Sequence, residues 1–172
     1  MRTAVLANEI KANTWTQRVA RDAAMVLGGS LLIALCAQVA VRMPFSPVPV
    51  TLQTLAVLLA GASLGSRRGA MSVMVYLAQG LSGLPVFAGG AFGPSYLLGP
   101  TGGYLLGFVA AAYAVGWLAE RGWDRRPATM LAAMAMGSAV IYAVGLPWLA
   151  AYVGDAAWET GLLPFLVGDA VK

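Results

Sequence analysis

Near the end of the chain, Asp169 and Lys172 stand three residues apart inside the apolar run "LVGDAVK". On a helix, positions i and i+3 share one face, so a carboxylate and an ammonium would be presented side by side. At the centre of a bilayer each charged group costs about 2.5–3.5 kcal/mol. Pairing does not cancel that cost, because a buried ion couple is often no better than an apolar replacement. The pair therefore points to a polar ligand or an ion held at membrane depth. A self-neutralising couple turned toward the bundle interior is the plain alternative.

Two further stretches carry polar groups into apolar surroundings. In "RMPFSPVPVTLQT", residues 42–54, Pro44, Pro47 and Pro49 exclude a continuous helix and favour an extended, stiff segment. The Arg42 guanidinium can grip a carboxylate by a forked contact, and Gln53 can both donate and accept. Without those two residues the segment would read as a simple connector. The stretch "GLPVFAGGAFGPSYLLGPTGG", residues 83–103, exceeds the usual connection length, and such loops tend to be lids or binding loops. It supplies Phe87, Phe92 and Tyr96, with Tyr104 just beyond. Gln79 is one more polar group at depth, either a ligand contact or half of an interhelical hydrogen bond.

Other chemistries lack their parts. The chain has no histidine and a single cysteine, Cys36, so neither a His-based metal site nor a thiolate cluster can form. No G-x-x-x-x-G-K-[ST] loop is present for nucleotide phosphates. Asp169 is the one carboxylate placed at depth, too few for paired acid–base catalysis. The expectation is a binding protein, not an enzyme, with no cofactor.

The elements that must position these groups are membrane helices. Of 172 residues, 59% are hydrophobic and only 10% charged, with a mean hydropathy of +0.75. A soluble domain carries roughly 25% charged residues. Residues 69–119 form a run of 51 without one charged side chain, and 23–41, 43–66 and 127–154 are likewise uncharged. Each can hold a helix approaching the ~20 apolar residues that cross a bilayer. The fold class is all-α and polytopic: a cytoplasmic tail over 1–22, then one transmembrane domain over 23–172. Helices are predicted at about 23–41, 51–64, 69–82, 102–119, 128–152 and 162–172, with Pro147 expected to kink or end the fifth. The first apolar run follows a 22-residue polar tail, so a cleaved signal peptide is not expected. Leu35 before Cys36 argues against a lipoprotein site.

Charge sets the orientation. Arg2, Lys11, Arg18 and Arg21 precede helix 1; Arg67 and Arg68 lie between helices 2 and 3; Arg121, Arg125 and Arg126 lie between helices 4 and 5. With six crossings all nine fall on one side, which the positive-inside rule makes cytoplasmic. Net charge +4 thus reflects topology and asks for no nucleic acid. Arg42 and Lys172 are the two basic residues outside this pattern. On helix 1, Ser30, Ala34 and Ala37 make a small-residue face that permits close approach of another helix, a partner's or one of its own.

Three blocks, "PFSPVPVTLQTLAVLLAGASLG", "YLAQGLSGLPVFAGG" and "YLLGPTGGYLLGF", resemble the BioY family, the biotin-specific substrate-binding (S) subunits of bacterial energy-coupling-factor (ECF) transporters. The resemblance covers about residues 23–172. It implies a six-helix bundle in the bacterial cell membrane with both termini cytoplasmic and a vitamin pocket near the outer face. It implies that Asp169 and Lys172 occupy the family's ligand-contacting D-x-x-K positions and that Arg42 and Gln53 match polar positions around the first outer loop. Gln79, Phe87 and Tyr96 are further candidates for the pocket. It also implies partners: a transmembrane coupling subunit, with Ser30 and Ala34 at the positions of a helix-1 A-x-x-x-A docking element, and two ATPase subunits. Biotin's ureido ring carries two N–H donors and a carbonyl, and its acid tail is an anion. Which polar residue meets which end stays open. Family members continue helix 6 across the membrane, whereas about ten residues from Leu162 cannot span ~30 Å; the sixth helix is therefore expected to be incomplete. The alternatives are an S subunit or carrier for another small vitamin and a non-transporting membrane assembly protein.

Overall fold

The computed structural model describes residues 14–171, and Lys172 lies outside them. Six principal helices run up and down: α1 (Trp15–Gln38), α2 (Gln53–Leu64), α3 (Ser66–Leu81), α5 (Gly102–Glu120), α6 (Pro127–Val153) and α8 (Leu163–Val171). Two short ones, α4 (Pro94–Leu97) and α7 (Ala157–Gly161), sit in the connections. α1, α5 and the stretch Pro127–Leu166 that contains α6 are long and apolar enough to cross a membrane, and α2 is a shorter apolar helix. The protein is an all-helical membrane bundle.

α1 begins at Trp15, eight residues before the apolar run that predicts it. Thr14 caps it: its hydroxyl accepts from the Gln17 N–H, and the Gln17 side chain accepts from the Thr14 N–H, both at 3.3 Å. This reciprocal arrangement satisfies two N–H groups that a helix start otherwise leaves orphaned, so Arg18, Arg21 and Asp22 belong to the helix. α3 likewise starts earlier than the apolar pattern suggests. Gly65, at φ 86, makes the tight turn out of α2, a backbone region costly for other residues. The Ser66 N–H and hydroxyl then both donate to the Glu120 carboxylate at the end of α5, at 2.8 and 2.9 Å.

These contacts gather one basic end. Asp22 accepts from Arg21 at 2.9 Å and from Arg68 at 3.1 Å, joining the start of α1 to the start of α3. From this end inward α2, α3 and α5 meet backbone to backbone. A methyl group on Gly61 would lie 2.4 Å from the Ala112 carbonyl oxygen, and one on Gly116 would lie 2.5 Å from the Ser66 nitrogen. Bare glycine faces of this kind let membrane helices close to contact distance.

α6 passes unbroken through Pro147 to Val153, so the proline does not end it. Pro147 is exposed, which keeps its ring off the packed neighbours while the missing N–H costs one rung of the ladder.

At the end opposite the arginine cluster, residues 42–49 are free of helix, as three prolines require. A two-residue antiparallel ladder pairs Ala40 with Thr51 and Val41 with Val50 and closes this segment into a loop between β1 (Ala40–Val41) and β2 (Val50–Thr51).

Candidate ligand-binding site

The same end holds a narrow cavity of about 30 Å³, room for about one water molecule, so a larger ligand requires its walls to move apart. Val48 and Pro49 of the proline loop and Phe108, Ile141 and Phe165 give it apolar walls. Thr51, Gln53, Thr54, Tyr96, Thr101, Tyr104 and Tyr142 bring polar atoms to the wall. Among the described residues no lysine, arginine or carboxylate lines this cavity.

Gln53 opens α2 directly after the ladder and is 3% exposed. Its backbone N–H donates to the Thr51 hydroxyl at 3.2 Å, and its buried side-chain amide has the Tyr76 hydroxyl as its polar neighbour. The amide and the phenol thus face each other in a buried pair, with Gln53 alone of the two reaching the cavity wall.

The long connection is a folded cover. Phe87 is fully buried, stacked on Tyr96 at 5.1 Å and 18°, with Tyr76 edge-on at 5.5 Å and 74°. Gly80 is obligatory beneath it, since a methyl group there would come within 2.1 Å of the ring. The cover is fastened to α3 by the Gly93 N–H donating to the Gly80 carbonyl at 2.8 Å. Trp148 Nε1 donates to the Gly99 carbonyl at 2.9 Å and fastens it to α6. Gln38 Nε2 donates to the Val86 carbonyl at 3.3 Å and fastens it to α1. Arg42 is exposed at the mouth, its Nη2 lying 2.5 Å from where a Gly89 Cβ would be. Gly89 has φ 68, a backbone conformation that favours glycine. Burial raises the Tyr96 hydroxyl above the usual phenol range, and its bond with Thr101 and the Arg42 charge partly offset this.

α8 closes the far wall. The Tyr104 ring stacks on Phe165 at 5.7 Å, and its hydroxyl donates to the Gly161 carbonyl at 2.9 Å. The Tyr142 hydroxyl donates to Asp169 Oδ2. Ser46, at the tip of the proline loop, donates to the Thr160 carbonyl at 2.7 Å.

Of the predicted binding residues, Gln53 and Tyr96 reach the cavity wall. Phe87 lies behind Tyr96 and shapes the wall without facing it. Asp169 is half-buried and bonded to Tyr142, which itself lines the cavity, and Lys172 falls outside the described residues. Gln79 is not at the cavity: its Oε1 accepts from the Ser30 hydroxyl at 2.8 Å, which is the interhelical alternative. Ser30, Ala34 and Ala37 need correction as a partner face. They are 0%, 8% and 0% exposed, packed inside this chain, where a small Ser30 lets Gln79 reach it. The outward small face of α1 is Ala20, Ala24 and Gly28, one turn apart and all exposed. Tyr104, noted beside the aromatic loop, does line the cavity; Tyr142 is not singled out by the sequence, because a tyrosine in an apolar span looks like a packing residue.

Residues 6–172 match the sequence model of the BioY family. The chain is 40% identical over 154 residues to the probable biotin transporter BioY of Pyrococcus horikoshii, covering 89% of this chain and 90% of that one. It is 41% identical over 134 residues to the biotin transporter BioY of Thermotoga maritima, covering 77% and 78%. It also superposes with TM-score 0.80 and 26% identity on the crystal structure of the S-component for biotin from an ECF-type ABC transporter, covering 93% of this chain and 88% of that one. The family-model match over residues 6–172 and relatives matched over most of their length place this chain, an apolar helical bundle, in the BioY family.

Proposed function

We propose that this chain captures biotin at the outer face of the bacterial cell membrane and serves as the substrate-specific subunit of an ATP-driven ECF transporter. The observation that supports this reading is the uncharged cavity wall bearing the buried Gln53 amide. A buried amide donor is complementary to a neutral carbonyl such as that of the ureido ring. The wall has no charge of its own among the described residues, so the neutral bicyclic head belongs inside. The thiophane ring packs on Phe108, Ile141 and Phe165. The acid tail then points to the mouth, where the Arg42 guanidinium stands exposed beside Gly89.

The arginine-rich end faces the cytoplasm in this reading, following the positive-inside bias, and the described start of the chain lies on that side. Energy comes in trans from a transmembrane coupling subunit and two ATPase subunits. The coupling subunit docks on α1 at Ala20, Ala24 and Gly28, where the chain is open and a neighbouring helix can approach closely.

Titration of the purified chain in detergent with radiolabelled biotin tests the reading. Saturable binding, competed by biotin and not by thiamine or riboflavin, is the expected result. Competition by either of those vitamins would make it a carrier of another substrate, and no saturable signal would leave a non-transporting membrane protein.

A further inference from the structure

We propose that the groove between the starts of α1 and α3 and the end of α5 binds one membrane phospholipid whose headgroup carries a primary ammonium, a phosphatidylethanolamine. The proposal needs the membrane bundle and not the biotin reading.

At the end opposite the ligand cavity, α3 packs against both α1 and α5 and forms the floor between them. Met71 and Val75 lie on that floor, with Val19 and Leu27 of α1 on one side and Tyr113 and Trp117 of α5 on the other. All but Val75 are exposed. The groove measures about 960 Å³, at the upper end of the about 300–1,000 Å³ typical of small-molecule sites. Exposed tryptophan and tyrosine gather at the level of lipid headgroups. Trp117 and Tyr113 therefore set the groove's mouth at that level and its apolar floor against the acyl chains.

The rim supplies the selectivity. Four ionised groups line the groove there: Asp22, Arg67, Arg68 and Glu120. Two are already paired, since Asp22 accepts from Arg68 at 3.1 Å and from Arg21 at 2.9 Å. The other two are open. Among the described residues Arg67 makes no ion pair and Glu120 meets no cation. Glu120 Oε1 accepts from the Ser66 N–H and hydroxyl at 2.8 and 2.9 Å, while Oε2 has only the longer contact to that hydroxyl, 3.1 Å. Arg67 follows Ser66 directly, so one short stretch of chain holds a guanidinium and a carboxylate edge at the same groove without joining them. Arg121 is folded over the Trp117 ring, 3.2 Å from its centroid, and stiffens the aromatic wall.

A purely anionic headgroup would meet Glu120 as a like charge. A phosphate that carries a primary ammonium answers both open groups: the guanidinium takes phosphate oxygens by a forked contact, and Oε2 accepts an ammonium N–H. Basic pockets between membrane helices bind lipid headgroups by the first of these contacts. The second selects among headgroups, because full methylation of the nitrogen removes every N–H.

The test uses the purified, delipidated chain in detergent, with lipid binding read by native mass spectrometry. The probes are dioleoyl lipids that differ only in headgroup: phosphatidylethanolamine, its mono- and dimethylated forms, phosphatidylcholine and phosphatidylglycerol. One phosphatidylethanolamine should bind per chain, and affinity should fall about fivefold on full methylation, the scale of one exposed charged contact. Glu120→Gln keeps an acceptor for Ser66 and should bring phosphatidylethanolamine down to the phosphatidylcholine level. Arg67→Gln should weaken both lipids by a similar factor. Should Glu120→Gln not purify, the methylation series on the wild type reads the same contact. Tighter binding of phosphatidylglycerol, equal affinity across the methylation series, or variants with wild-type affinities would overturn the assignment. Loss of the bound lipid on assembly with the coupling subunit would overturn it too and give the groove to that partner.

Discussion

The Ser30 hydroxyl donates to Gln79 Oε1 at 2.8 Å and ties α1 to α3 across 49 residues of sequence. Inside a membrane such bonds average about 0.6 kcal/mol and reach about 1.7. Gln79→Leu should lower the melting temperature in detergent by a few degrees while leaving biotin affinity within about threefold. A loss of affinity beyond tenfold without loss of stability would return Gln79 to the binding site.

Gln53 behaves differently. Its amide lies at the cavity wall beside the buried Tyr76 hydroxyl, and removing one partner leaves the other unmet at about 1–3 kcal/mol. Gln53→Leu should therefore melt a few degrees below the wild type and also bind biotin more than tenfold more weakly, an affinity loss that Gln79→Leu does not share. Equal affinity for biotin would remove the amide from the site.

Gly28 and Ala24 separate binding from assembly. Nothing lies within 4 Å of a side chain grown from Gly28, so Gly28→Leu should fold and bind biotin as the wild type does. Co-purification with the coupling and ATPase subunits should fall severalfold. Full assembly in Gly28→Leu and Ala24→Leu alike would place the docking face elsewhere.

The Glu120 carboxylate serves as a cap for α3 supplied from α5. Losing a helix cap costs about 0.5–2 kcal/mol, so Glu120→Ala should lower the melting temperature with biotin affinity preserved. Melting curves taken with and without biotin distinguish this from an effect on the pocket.

The helices were legible because apolar runs and arginines have positions along the chain, and position is what a sequence records. What it does not record is azimuth. α1 carries two small faces, Ala20–Ala24–Gly28 and Ser30–Ala34–Ala37, and spacing alone cannot tell which one turns inward; the answer depends on α3 presenting Gln79 and Ser72. Gln53 was legible as a polar residue at a helix start after prolines. Tyr142 was not, because its meaning depends on a carboxylate 27 residues later in a different helix. The early start of α1 was concealed by Arg18, Arg21 and Asp22, which read as tail, although the Thr14–Gln17 capping pair marks it in plain residues.

Glycine contacts join α2, α3 and α5 with main chain against main chain, at Gly61 on Ala112 and Gly116 on Ser66. Such a junction has no side chains to swing or re-seat, so it behaves as a keel. Whatever shape change accompanies loading and release of cargo must be accommodated by the parts hung around it: the proline loop moored through Ser46, the aromatic cover and α8.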